Sequence, residues 1–235
     1  MPDTPRILIT AGPTQEPIDA VRYLGNRSSG RLGIALADEA ASRGHRVTLL
    51  LGPTGRMPSH TDICIERFRT THDLATLLDT HAPNHDLIIM AAAVADFRPA
   101  AAEPDTKMRR QDGLTLHLEP TEDLLARLGS TREPAQCLIG FALEPRNRLL
   151  ESAREKLERK NIDAIVANPL ETMDAESISA TLIRRNGGTV QAPSDLSKAD
   201  FAGWLLDQVA ELPLDAPVEP IPTENPGDPG KSRAR

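Results

Sequence analysis

Apolar positions along the chain come in short unbroken runs, separated by longer segments in which they recur at helical spacing. The runs are Arg6–Thr10 (RILIT), His45–Leu51, Ile63–Phe68, Asp86–Ala91, Gln136–Ala142 and Asp163–Ala167. Their length and flanking glycines and prolines mark them as buried strands. Between them lie Leu32–Arg43, stopped by Gly44, then Thr71–His81, with Thr71 or Asp73 as the acceptor at its start, and Arg146–Lys160. A further helix, DLLARLG, is opened by Thr121, Glu122 and Asp123. Strands that alternate with helices require right-handed crossovers and parallel pairing. Leu114–Leu118 alternates like a short extra strand. Ser179–Arg185 and Thr189–Ala192, joined by Asn186-Gly187-Gly188, read as a β-hairpin. Ser194 is placed to cap a last amphipathic helix reaching about Leu212, with Trp204 packing on the sheet or on an interface.

The fold expected is therefore α/β, a doubly wound, mostly parallel (Rossmann-like) sheet with an added hairpin. One domain over residues 1–212 is followed by a tail, 213–235, whose proline and acidic content predicts disorder. The first strand leads through Thr10-Ala11-Gly12-Pro13-Thr14 to Gly25-Asn26-Arg27-Ser28-Ser29-Gly30, and then into a helix. Ser28, Ser29, Gly30 and Gly33 fit a loop running into a helix N-terminus, where open backbone N–H groups attract phosphate. The glycine spacing departs from the dinucleotide fingerprint, since roughly a dozen extra residues separate strand and loop. They include Glu16, Asp19, Arg22 and Asn26, more polar chemistry than a turn needs. The plain alternative is an irregular connection with glycines placed for steric reasons.

Small residues follow the fourth strand, in Ala91-Ala92-Ala93-Val94-Ala95-Asp96-Phe97. They let a ligand approach the backbone, and Asp96 is the first charge beyond them, either a crevice carboxylate or a loop residue or helix cap. Residues Ala100 to Gly113, with Pro104, form a long polar connection of the kind that serves as a lid or arm. Its Lys107-Met108-Arg109-Arg110 cluster suits closure over phosphates or is simply a solvated charge run. Lys156 and Lys160 share one helix face, and a favourable dipole interaction accounts for them as well as a ligand does.

Composition narrows the partners. A formal net charge of −7 argues against bulk nucleic-acid binding. The absence of a long apolar run argues against a membrane span, and the N-terminus lacks an export signal, so a cytoplasmic location is expected. Cys64 and Cys137 sit in apolar runs without C-x-x-C spacing and read as buried free thiols. With aromatics at 3%, any base stacking falls to few residues, Phe97 and Phe141 among them.

Taken in order, ITAGPTQEPIDAVRYLGNRSSGRLG, AAAVADFRP, the K-x-R-R arm, GFALE and A-R-E-K-x-x-x-K-N-x-D-x-I-V-A-N resemble phosphopantothenoylcysteine synthetase over about Arg6 to Leu212. The resemblance implies a ligase of coenzyme A biosynthesis that joins 4′-phosphopantothenate to cysteine with Mg²⁺ and a nucleotide. CTP is the co-substrate implied by bacterial members. By the same resemblance, Asn26 handles the acyl intermediate and Lys107 stabilises the reacting phosphate. Ser28, Ser29 and Gly30 bind phosphate, while Ala92 and Ala93 line the site. Asp96 serves the nucleotide or its metal, and Asp123, Phe141, Lys156 and Lys160 bind the nucleotide.

Some positions depart from the family pattern. The arm carries arginine at its second and third basic positions, Thr-Glu-Asp replaces the usual turn before Asp123, and Pro145 follows GFALE. A homodimer across the sheet-edge and hairpin region is implied by resemblance. The initial methionine favours a stand-alone synthetase, with a flavin-dependent decarboxylase as a separate partner. Two rival classes stay in view. A short-chain NAD(P)-dependent oxidoreductase shares the sheet, yet needs a Tyr-x-x-x-Lys pair, and the sole tyrosine is Tyr23. A non-catalytic nucleotide-binding module would not need Asn26 or Lys107.

Overall fold

Successive side chains of a strand point to opposite faces of its sheet, and the central strands of this protein divide their apolar residues that way. The computed structural model describes residues 4–102, 105–109, 113–172 and 177–212; Pro104, Arg110 and the expected tail, 213–235, lie outside them. Eight strands form the main sheet: β1 (Arg6–Ala11), β2 (Arg46–Leu51), β3 (Cys64–Arg67), β4 (Leu87–Met90), β5 (Cys137–Glu144), β6 (Ala164–Pro169), β7 (Thr181–Arg184) and β8 (Thr189–Gln191). Ile7, Ile9, Leu49, Ile89, Ile139 and Val166 face α1 (Arg31–Ser42) and α5 (Lys198–Ala210). Leu8, Leu50, Ile88, Leu138 and Ile165 face α2 (Thr71–His81), α3 (Leu124–Thr131) and α4 (Leu149–Arg159). Each such side chain, fully buried, contributes about 1.5–3 kcal/mol, so both layers are held by the strands between them.

The strand order is β8-β7-β6-β5-β4-β1-β2-β3. Pairing is parallel from β3 through β6, while β7 and β8 add the antiparallel hairpin at one edge. This is the doubly wound arrangement expected, with its reversal between β1 and β4. Connections leave those two strands in opposite directions, and a crevice opens at their carboxyl ends. Helix α1 packs close to β1 because residue 33 is glycine: a Cβ there would stand 2.5 Å from Ala11 Cβ and 3.0 Å from Thr10 O.

Several local expectations shift. Helix α2 is capped by Thr70, whose hydroxyl accepts from Asp73 N–H at 3.1 Å while the Asp73 carboxylate accepts from Thr70 N–H at 2.9 Å. Asp73 thus completes a reciprocal cap, whereas Thr71 turns inward and is buried. Ser197, rather than Ser194, caps α5, because Leu196–Ser197 pairs with Ser177–Ile178 and carries the chain further before the helix begins. The short strand expected at Leu114–Leu118 is instead Leu118–Pro120, the part that finds a partner in Phe97–Pro99. Cys137 is buried, and desolvation pushes its thiol up to about 12. Cys64 lies on the edge strand β3 and is exposed, contrary to the apolar run around it. Among the described residues no helix is long and apolar enough to cross a membrane.

Candidate functional site

The crevice between the ends of β1 and β4 opens into a cleft of about 650 Å³, a volume suited to a small-molecule ligand. Its first wall is Gly25–Gly33. The extra residues after β1 form a small hairpin, Glu16–Pro17 against Tyr23–Leu24, before the chain returns to the cleft. Glu16 is buried and accepts from Thr71 N–H at 2.8 Å and from the Thr71 hydroxyl at 2.7 Å. Asp19, also buried, accepts from the N–H groups of Val21 and Arg22 at 2.8 and 2.6 Å and from Arg22 Nη1 at 2.5 Å. Burial opposes its ionisation, but N–H donors from Val21, Arg22 and Met108, with the Arg22 charge, outweigh it and hold the carboxyl below its ordinary range. Glu16, Asp19 and Arg22 therefore build the loop, and Asn26 is the member of this polar set that lines the cleft. Its Nδ2 donates to Val94 O at 2.8 Å, tying the two walls together.

Gly30 precedes α1 with φ 70°, a left-handed conformation that glycine adopts without strain. The helix has no side-chain cap, so its first N–H groups face the cleft, where an anion would satisfy them. Ser28 and Ser29 line the same wall. Ser28 Oγ accepts from Gly30 N–H at 3.4 Å, and Thr54 donates to Ser29 O at 3.1 Å.

The second wall is the turn after β4, with Ala92, Ala93 and Asp96 all lining the cleft. Thr10 Oγ1 accepts from Ala92 N–H at 3.0 Å, Gly12 O from Ala93 N–H at 2.9 Å, and Thr14 Oγ1 from Ala95 N–H at 2.9 Å. Thr121 completes the frame by donating its N–H to Asp96 O at 2.9 Å and its hydroxyl to Ala95 O at 2.5 Å. Asp96 is thus an exposed carboxylate at the mouth, and no helix follows that it could cap. No group of three metal-ligating side chains gathers among the described residues.

Helices α3 and α4 supply the third wall. Asp123 caps α3 through Ala126 N–H at 3.1 Å and pairs with Lys160 Nζ at 3.1 Å. Lys156 Nζ pairs with Glu144 at 2.5 Å. Burial works against the Asp123 charge, yet the Ala126 N–H and Lys160 keep its pKa below normal, while the Lys156 hydrogen bond lowers that of Glu144. Both lysines of the expected pair face the cleft together, as does half-buried Phe141. Its lining carries Arg27, Arg31, Lys156, Lys160 and Lys198 against Asp96, Glu122 and Asp123, a cationic excess inside an acidic protein. Such a site attracts polyanions.

Lys107 and Arg109 are exposed, and Lys107 is outside the cleft lining. Phe97 likewise does not reach the cleft. Some lining residues were given no role on sequence grounds, Asn168 and Lys198 among them. Asn168, at the end of β6, is buried with its Oδ1 lacking a hydrogen-bond partner, an acceptor that a bound donor would satisfy. Lys198 opens α5, where a cation meets the positive end of the helix dipole. Either oddity, a polar strand terminus or an ill-placed helix cation, was visible as a signal.

A cysteine/cysteine sulfinic acid decarboxylase from an unknown prokaryotic organism is 46% identical over 166 residues, 70% of this chain and 46% of that protein. The coenzyme A biosynthesis bifunctional protein CoaBC of Bacillus subtilis is 36% identical over 211 residues, 88% of this chain and 51% of that protein. The chain spans about half the length of the curated relatives it matches. The crystal structure of the C-terminal domain of a CoaBC protein superposes with a TM-score of 0.74 at 36% identity, covering 87% of this chain and 93% of the other. Residues 3–212 match the DNA/pantothenate metabolism flavoprotein C-terminal domain, and the chain belongs to that family.

Proposed function

We propose that this domain is a phosphopantothenate–cysteine ligase of coenzyme A biosynthesis, with CTP as its nucleotide. The observation that carries the reading is the gathering of Asn26, the uncapped start of α1 and the Lys156/Lys160 pair in one cleft. In the reaction, the carboxylate of 4′-phosphopantothenate attacks the nucleotide α-phosphate and pyrophosphate leaves. The amine of cysteine then attacks the acyl carbon of the mixed anhydride, the nucleoside monophosphate departs, and an amide forms. No protein nucleophile is needed. Positioning and charge stabilisation suffice.

Each residue has a part that its chemistry fits. The α1 N–H groups, Ser28 and Ser29 hold phosphate, and Lys156 and Lys160 exchange part of their pairing with Glu144 and Asp123 for the nucleotide's charge. Phe141 offers a face to the base. The Asn26 amide holds a carboxylate or acyl oxygen without competing as a nucleophile. Lys107 meets the charge that develops on the reacting phosphate. Mg²⁺ binds nucleotide phosphates with one or two protein carboxylates, and Asp96 at the mouth fits that requirement; bound there, the ion would neutralise phosphate charge.

The test mixes purified protein with Mg²⁺, 4′-phosphopantothenate, cysteine and either CTP or ATP, and follows pyrophosphate together with the amide product. Release with CTP that depends on phosphopantothenate is the expected result. Preference for ATP would overturn the nucleotide assignment. Carbon dioxide release from cysteine, or NAD(P)H turnover, without pyrophosphate would overturn the ligase.

A further inference from the structure

The arm is fastened to the body of the protein on both sides of Lys107. Thr106 O accepts from Ala20 N–H at 3.0 Å, and Met108 N–H donates to Asp19 Oδ2 at 3.2 Å. Both ties end on one turn, the tip of the small hairpin between β1 and Asn26. Asp19 divides its two oxygens between two tasks. Oδ1 closes the turn through Val21 and Arg22 N–H, whereas Oδ2 holds the Arg22 guanidinium and the arm. The residue is only 2% exposed, so its charge depends on these donors, and Met108 N–H is one of them. Lys107 itself is exposed, and its side chain has no part in the clasp.

We propose that Asp19 is the positioning residue of the basic arm: its Oδ2, helped by the Ala20 amide, fixes the backbone around Lys107 and sets where that lysine is presented. The consequence for catalysis rests on the ligase reading, but the clasp does not. Asp19→Asn separates the two tasks, because an amide keeps an oxygen for Val21 and Arg22 and turns an N–H₂ toward Met108 N–H and Arg22. Met108→Pro removes the same hydrogen bond from the arm's side and leaves the carboxylate intact.

Hydrogen exchange on the full chain is the direct readout. In Asp19→Asn, exchange at 105–109 rises at least about tenfold while β1 and β4 keep wild-type protection. In both variants kcat falls by about 10²-fold, the scale of a small misplacement of a reacting group, and KM for CTP stays within about twofold. Adding Lys107→Gln to Asp19→Asn costs less than it does in the wild type, since both changes act through one group. Unchanged exchange at 105–109, or faster exchange with wild-type kcat in both variants, overturns the proposal. If the wild-type chain forms no product, the ligase reading fails and exchange alone decides the clasp.

Discussion

The Ala92–Asp96 turn and the 105–109 arm are close neighbours in the chain, yet they are held in opposite ways. The turn is bonded by Thr10, Gly12, Thr14 and Thr121 and sits on the carboxyl ends of β1 and β4. The arm is largely exposed, and Thr106 O and Met108 N–H tie it to one hairpin turn. A rigid rim at the carboxyl ends of central strands suits groups that hold a ligand in both ground and transition state. A lightly fastened segment suits a charge needed mainly as the phosphate reacts.

That contrast has measurable consequences. Lys107→Gln should lower kcat by about 10²–10³-fold, the usual loss of a transition-state stabilising group, with nucleotide KM near wild type. A rise in KM matching the fall in kcat would place the lysine with the binding wall. Lys160→Ala should do the reverse, weakening nucleotide binding by roughly tenfold to a hundredfold in calorimetric titration, the worth of a charged hydrogen bond. Gly33→Ala attacks the rigid side without touching a charge. The added methyl meets Ala11 Cβ at 2.5 Å, and urea unfolding should report a loss of about 1–3 kcal/mol.

Acid should show the smallest effect near neutrality. Asp73 and Asp123 are held below the ordinary aspartate value of 3.8, their N–H donors outweighing burial, and Glu144 is held below the ordinary glutamate value of 4.5 by its hydrogen bond to Lys156. Their folded pKa values lie under the unfolded ones, so their stabilisation is complete above the unfolded pKa and is lost as pH falls through the folded values. Thermal unfolding should therefore be nearly flat in these contributions from pH 7 to about 5 and decline below about 4. Replacing Asp123 by Asn should shrink that acid-side decline.

Most of the sheet was legible because buried strands and amphipathic helices have different periods, and β1 to β6 each appear as an apolar run. Local chemistry with several adjacent candidates was harder to resolve. Thr70, Thr71 and Asp73 all suit the start of α2, and packing settled the matter by sending Thr71 to Glu16. Cys64 looked buried from its neighbours, but burial depends on whether another strand covers it, and β3 is an edge.

The candidate site divides along the same line. Asn26, Ser28, Ser29, Gly30 and the Ala92–Asp96 turn are recognisable because their residue types suit phosphate and close backbone approach at strand ends. Asn168 and Lys198 belong to the cleft only because strands and helices distant in sequence converge there. Chain order and residue periodicity determined the elements, their alternation and the loops that carry polar chemistry. Tertiary structure alone decided which of those polar groups are consumed inside the protein, as Glu16 and Asp19 are, and which face the cleft. The reason is physical: a buried charge must find its partners across space, and local sequence does not encode those distances.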